Sequence, residues 1–187
     1  MSQFISKLQK RLPTWGDLFS VMAFTSFLVY GRMLFVFVWK VPSWLMFLTT
    51  DRILSILSYG LVFSFLESAG YVLFLALVCF VLPARWFKQE FVVRGVWVMA
   101  VWLVSWNIFF IRMSSLGLDG GLQVLAYLYP WLIATLMLVI VFYFLSVRVR
   151  PLKNVGIWIA DRTLIFLFVF LPASLIGLLV VLVRNIS

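Results

Sequence analysis

Apolar residues run almost unbroken through five stretches of this chain, about 18–39, 60–82, 95–111, 124–147 and 163–183, and most charged residues fall between them. None of the five alternates apolar and polar residues as a half-wet strand or a barrel strand does, so the pattern predicts helices. At 1.5 Å per residue, 18–39 reaches about 33 Å, enough to cross a hydrocarbon core of about 30 Å. Trp15 and Trp39 bracket that stretch, as interfacial tryptophans do. The predicted fold class is all-α: an integral membrane bundle of five transmembrane helices, in one polytopic membrane domain covering 1–187.

Between the stretches the pattern is less even. Pro42 lacks an N–H and restricts the residue before it, so a helix break is expected there. The half-apolar run that follows is interrupted by Asp51 and Arg52. It predicts a short interfacial helix near 43–58, with a partly re-entrant segment as the alternative. Pro83 is expected to end the second span, Asp119-Gly120-Gly121 is the clearest turn signal, and 155–162 reads as a short approach to the fifth span. The first fourteen residues carry Lys7, Lys10 and Arg11, with Phe4, Ile5, Leu8 and Leu12 at helical spacing, which predicts a short amphipathic surface helix. A signal peptide would share the basic start, but the following apolar run is too long and lacks a small-residue cleavage pattern, so retention is expected.

Composition extends this picture. The chain is 65% hydrophobic and 11% charged with a mean hydropathy of +1.16, against roughly 45–50% apolar and about 25% charged in soluble domains. The excess runs the whole length, leaving no soluble domain to separate. A net charge of +9 would suggest nucleic acid in a soluble protein. Here the cations form short clusters between apolar runs, without a basic face, so no nucleic-acid partner is expected. With the N-terminus inside, ten Lys and Arg fall on the inner side: Lys7, Lys10, Arg11, Arg85, Lys88, Arg94, Arg148, Arg150, Lys153 and Arg162. Four fall outside, Lys40, Arg52, Arg112 and Arg184, and Arg32 lies within a span. This asymmetry predicts a plasma (inner) membrane protein with a cytoplasmic N-terminus and an external C-terminus. An additional span made from 42–59 would put two basic clusters outside and is rejected. The Asp-Arg-x-Leu pattern at 51–54 and 161–164 is read as chance, because five spans do not divide into the halves of an inverted repeat.

Candidate chemistry is sparse. Arg32 lies seven residues before Trp39, and Glu67 seven residues after Gly60 on the next, antiparallel span. Each is therefore about 10 Å below the same end, and intramembrane charges pair or face a cavity. Arg32 and Glu67 are predicted to face each other, as a register-fixing pair or as the polar part of a ligand recess; the alternative is that Arg32 snorkels to the outer surface without a partner. Asn107, Pro130, Pro172 and Gly177 add polar or irregular features at similar depth. Asn107 joins the pair as a candidate recess residue. Cys79 is alone in an apolar run and reads as a buried small hydrophobe. The chain has no histidine, and no paired carboxylates, nucleophile motif, metal cluster or phosphate loop. No catalytic residue, cofactor or metal is expected. The 19% aromatic content is read as packing and interfacial anchoring.

Five helices with the N-terminus inside, together with the run TTDRILSILSYG between the first two spans, resemble the membrane module of lipoteichoic-acid-synthase-like, sulfatase-fold envelope enzymes. In that family a catalytic domain follows the fifth helix outside the cell. This sequence ends four residues after its fifth span, so no catalytic residue carries over. The resemblance implies a stand-alone module for a partner or a lipid-linked substrate. The expected function is a non-catalytic scaffold or partner subunit for envelope-building proteins, with the lipid bilayer and another membrane or envelope protein as partners. The alternative is a small transporter or lipid-handling protein with an outward recess at Arg32 and Glu67.

Overall fold

The protein is described here by a computed structural model covering residues 13–81, 90–117 and 122–186. The amphipathic N-terminal piece, the stop at Pro83 and the turn at Asp119 lie outside the described residues. Among those described, the architecture is wholly helical. Its five helices are α1 (Trp15–Trp44), α2 (Thr50–Val81), α3 (Phe91–Ser115), α4 (Leu122–Arg148) and α5 (Arg150–Ile186). All five are long and apolar enough to cross a membrane, which makes this a multi-pass membrane protein.

The expected interfacial helix near 43–58 is not present. Residues 43–44 end α1, and 50–58 form the first turns of α2, which continues unbroken to Val81. Pro42 does not stop α1, because near a helix end the lost N–H leaves only one carbonyl without its usual donor. Asp51 falls in the first turn of α2, where its charge suits the positive end of the helix dipole. The Ser55 and Ser58 hydroxyls donate to the carbonyls of Asp51 and Leu54, so the polar residues of this run are satisfied within one helix. Likewise 155–162 is no separate approach. α5 begins at Arg150, with Pro151 in the first turn where its missing N–H costs nothing, and runs for 37 residues. At 1.5 Å each that is about 55 Å, well beyond the membrane core.

Contacts between helix ends set an up-and-down order. At the end where α1, α3 and α5 begin, here the near end, Lys153 of α5 pairs with Glu90 before α3, and Arg94 of α3 donates to the Tyr143 hydroxyl of α4 at 2.6 Å. At the far end, Arg184 of α5 lies 3.9 Å from Asp51 of α2. The apolar core sits toward the near end, where Val21 and Phe24 of α1 meet Leu75 and Cys79 of α2, Val96 and Met99 of α3, and Ala160 of α5. α1, α2 and α5 pack closely along their lengths, as do α3 and α4.

The α1–α2–α5 seam is closed by small residues and hydroxyls. A Cβ on Gly177 would meet the Ser58 carbonyl oxygen at 3.0 Å, a tight contact with a backbone atom, so glycine favours this approach of α5 to α2. Ser174 Oγ donates to Phe170 O at 2.9 Å, and Tyr30 OH lies 2.5 Å from the same hydroxyl. Tyr30 also stacks on Phe170, with ring centroids 4.4 Å apart. Across the α3–α4 pair, Ser105 Oγ and Thr135 Oγ1 are 2.5 Å apart.

Candidate functional site

α1 and α3 approach closely at their beginnings, where a Cβ on Gly95 would meet Val21 at 2.9 Å. Toward the far end they leave a cavity of about 800 Å³. Its walls are Arg32, Phe35, Val36, Trp39 and Lys40 of α1, and Asn107, Phe110, Ile111, Ser114 and Ser115 of α3. A second cavity of about 560 Å³ lies deeper, between α2, α3 and α4. It is lined by Glu67, Gly70, Tyr71, Phe74 and Leu75 of α2, Val98, Met99 and Trp102 of α3, and Leu136 and Val139 of α4. Both volumes fall in the range of small-molecule sites, roughly 300–1,000 Å³.

The Arg32–Glu67 pair has one member in each cavity wall: Arg32 lines the shallower cavity and Glu67 the deeper one. Arg32 Nη2 is 3.9 Å from Glu67 Oε2, close enough for Coulomb attraction and too far for a hydrogen bond. The other carboxylate oxygen, Oε1, accepts from Tyr71 OH at 3.2 Å. The two side chains keep 42% and 36% of their surface exposed, so they form the floor of an open furrow and are not sealed in the bundle. No hydrogen bond from the Arg32 guanidinium to another described residue is found, and Lys40 has no ion pair among the described residues.

Asn107, the third candidate, turns its amide onto its own helix, donating to Leu103 O at 2.8 Å, while it lines the Arg32 cavity. Pro130 and Pro172 sit inside helices that continue through them, away from both cavities. Gly177 belongs to the tight seam. Cys79 is buried in the near-end core.

Sequence reasoning missed Lys40, Tyr71, Gly70 and Trp102. Two of these carried a readable signal. Lys40 is eight residues after Arg32 and Tyr71 four after Glu67, spacings that return to the same helix face. Trp102 belongs to a row with Trp106, ring centroids 5.8 Å apart, and was assigned to packing. Its place in a cavity depends on where α2 and α4 lie, which the sequence of α3 does not encode.

Chemically the furrow offers two cations, one carboxylate held by a tyrosine, and long apolar walls. Among the described residues no group of three or more His, Cys, Asp or Glu is arranged to hold a metal ion. Comparison with protein-family models, curated proteins and solved structures returns no match for this chain.

Proposed function

We propose that this protein is a non-catalytic, multi-pass lipid-handling protein of a plasma membrane, with the furrow beside Arg32 and Glu67 as its working site. One observation carries the reading: an ion pair inside the spans, half exposed, with a cavity on either side of it. An uncovered charge at mid-membrane costs about 2.5–3.5 kcal/mol on insertion scales. A pair serving only to fix helix register lowers that cost by closing tightly. This pair stays 3.9 Å apart beside open space. An amphiphile whose polar part meets the charges and whose chain fills the apolar cavity removes the penalty at both places.

The ten-to-four distribution of Lys and Arg supports a cytoplasmic N-terminus and an external C-terminus, so that the furrow opens in the outer leaflet. The likeness in layout to the membrane module of lipoteichoic-acid-synthase-like enzymes fits a membrane module that holds a lipid-linked molecule.

A second reading, the scaffold or partner subunit for envelope proteins, is favoured by a different feature. The first turns of α5 extend past the apolar stretch and present Trp158, Asp161 and Arg162 exposed, with Arg162 lying 6.0 Å from the Trp158 ring. That surface suits a protein partner at the membrane boundary.

Native mass spectrometry of protein purified in mild detergent separates the two. The lipid reading expects wild type to retain lipid in a fixed ratio, and Gly70→Trp, which blocks the deeper cavity, to lose it. If both release all lipid equally, the scaffold reading takes over, with cross-linking from Trp158→Cys to a neighbouring protein in native membranes as its check.

A further inference from the structure

We infer that the furrow takes a lipid with a negatively charged phosphate headgroup, its phosphate held between Arg32 and Lys40 and one acyl chain passing the Arg32–Glu67 pair into the cavity at Trp102. This assignment rests on the lipid-handling reading and adds to it the head chemistry and the direction of the chain.

Three features point the same way. First, the two cavities follow one wall. The shallower one touches α3 from Asn107 to Ser115 and the deeper one from Val98 to Trp102. Together they run along about 26 Å of that helix. α2 runs antiparallel to α3, so Gly70, Tyr71 and Phe74 lie deeper than Glu67. The ion pair thus marks the depth at which the furrow changes from charged to apolar.

Second, charge grades along this wall. Arg32 and Lys40 lie eight residues apart on one face of α1, about 12 Å. Both side chains are long enough to bring their charged ends toward a group between them. Ser114 and Ser115 stand opposite at the mouth. With Glu67 as the one acidic group of the furrow, the balance is one positive charge, unmet by the described residues. A phosphate monoanion supplies the missing charge. A zwitterionic head would bring its own cation to the same place.

Third, the deep cavity is too apolar for a polar ligand. Apart from Glu67 and Tyr71, which bond to each other, its lining is aliphatic and aromatic. A hydrocarbon chain fits those walls without leaving a polar group unsatisfied.

The test uses purified, delipidated full-length protein in neutral detergent. Binding is read by thermal shift with phosphatidylglycerol, phosphatidylcholine of the same chains, and water-soluble glycerol phosphate. Phosphatidylglycerol is expected to bind about tenfold more tightly than phosphatidylcholine, a difference of about 1.4 kcal/mol. Lys40→Gln, at an exposed side chain, should keep the lipid-free melting temperature and remove most of that preference. Gly70→Leu should weaken both lipids alike. Glycerol phosphate should not bind in the same range. Equal binding of both lipids, unaffected by Lys40→Gln but weakened by Gly70→Leu, overturns the phosphate assignment and leaves the lipid reading standing. Glycerol phosphate binding as tightly as phosphatidylglycerol overturns the place given to the chain. No binding of either lipid sinks both readings.

Discussion

Tyr30 and Arg32 are two residues apart on α1, about 200° around the helix, and they meet opposite surroundings. Tyr30 is fully buried in the α1–α2–α5 seam, stacked on Phe170 with its hydroxyl against Ser174. Arg32 stands in the furrow between α1 and α3, exposed for 42% of its side chain. The seam is lined by Gly177, Ser58 and Ser174, which let backbones approach and return their hydroxyls to nearby carbonyls. The furrow is lined by Phe35, Trp39, Phe110, Trp102 and charges, which hold helices apart. Without water to drive helices together in a membrane, packing of small residues decides which faces close. The bundle is closed where its side chains are small and open where they are large or charged.

Gly177→Leu attacks the closed side most directly. Its Cβ meets a backbone oxygen of Ser58, which cannot turn aside as a flexible side chain can. A loss of about 3 kcal/mol is expected, the upper part of the usual overpacking range, seen as a sharp fall in folded yield and melting temperature in mild detergent. A normal melting temperature would mean that α2 and α5 are further apart than described.

Charge reversal tests the open side. Arg32→Glu or Glu67→Arg alone puts like charges about 3.9 Å apart. Each single change is expected to cost about 2 kcal/mol, somewhat less than burial of a lone charge because both groups can turn into the furrow. The double swap should recover most of the loss. Thermal unfolding of the four proteins in parallel measures it as a double-mutant cycle. A double swap no better than the singles would mean that the two charges act separately.

The two regions were not equally readable in advance. The proximity of Arg32 and Glu67 follows from counting: equal distances from one membrane face on antiparallel neighbours bring two side chains to one depth. Their exposure does not follow, because it depends on α3 standing away from α1 at this depth, which the sequence of neither helix encodes. The five spans were legible because apolar runs of this length have few alternatives. The continuity of α2 through 50–58 was not. Asp51 and Arg52 look like an interruption until they are placed at a helix start, where an acid is welcome and Arg184 of α5 comes within 3.9 Å of Asp51. The seam left a trace in Ser55, Ser58, Ser64 and Ser68, all buried on α2, and in Ser174 and Gly177 of α5, one turn apart. Small residues at helical spacing mark a packing face, though they do not say which helix packs there.

A gentler change probes the closed side again. Tyr30→Phe keeps the stack on Phe170 and removes only the hydroxyl next to Ser174. Ser174 still donates to Phe170 O, so no donor is stranded. A loss of about 1 kcal/mol is expected, in line with single interhelical hydrogen bonds in membranes. It should appear as a small, reproducible fall in melting temperature, with lipid retention unchanged, since Tyr30 lines neither furrow cavity.

Gly70→Leu completes the contrast, because the substitution matches that at Gly177 and only the place differs. Nothing lies within 4 Å of a Cβ built on Gly70, which opens into the deeper cavity. No clash is available to destabilise the helix, and replacing glycine in a helix interior favours it by up to about 1 kcal/mol. The expected melting temperature is therefore equal to wild type or slightly higher in the absence of lipid. If the cavity is empty space that the bundle closes in a bilayer, the added side chain would lower stability as it does at Gly177. The sign of this one change, measured beside Gly177→Leu under the same conditions, distinguishes a furrow held open by its walls from a gap that packing would fill.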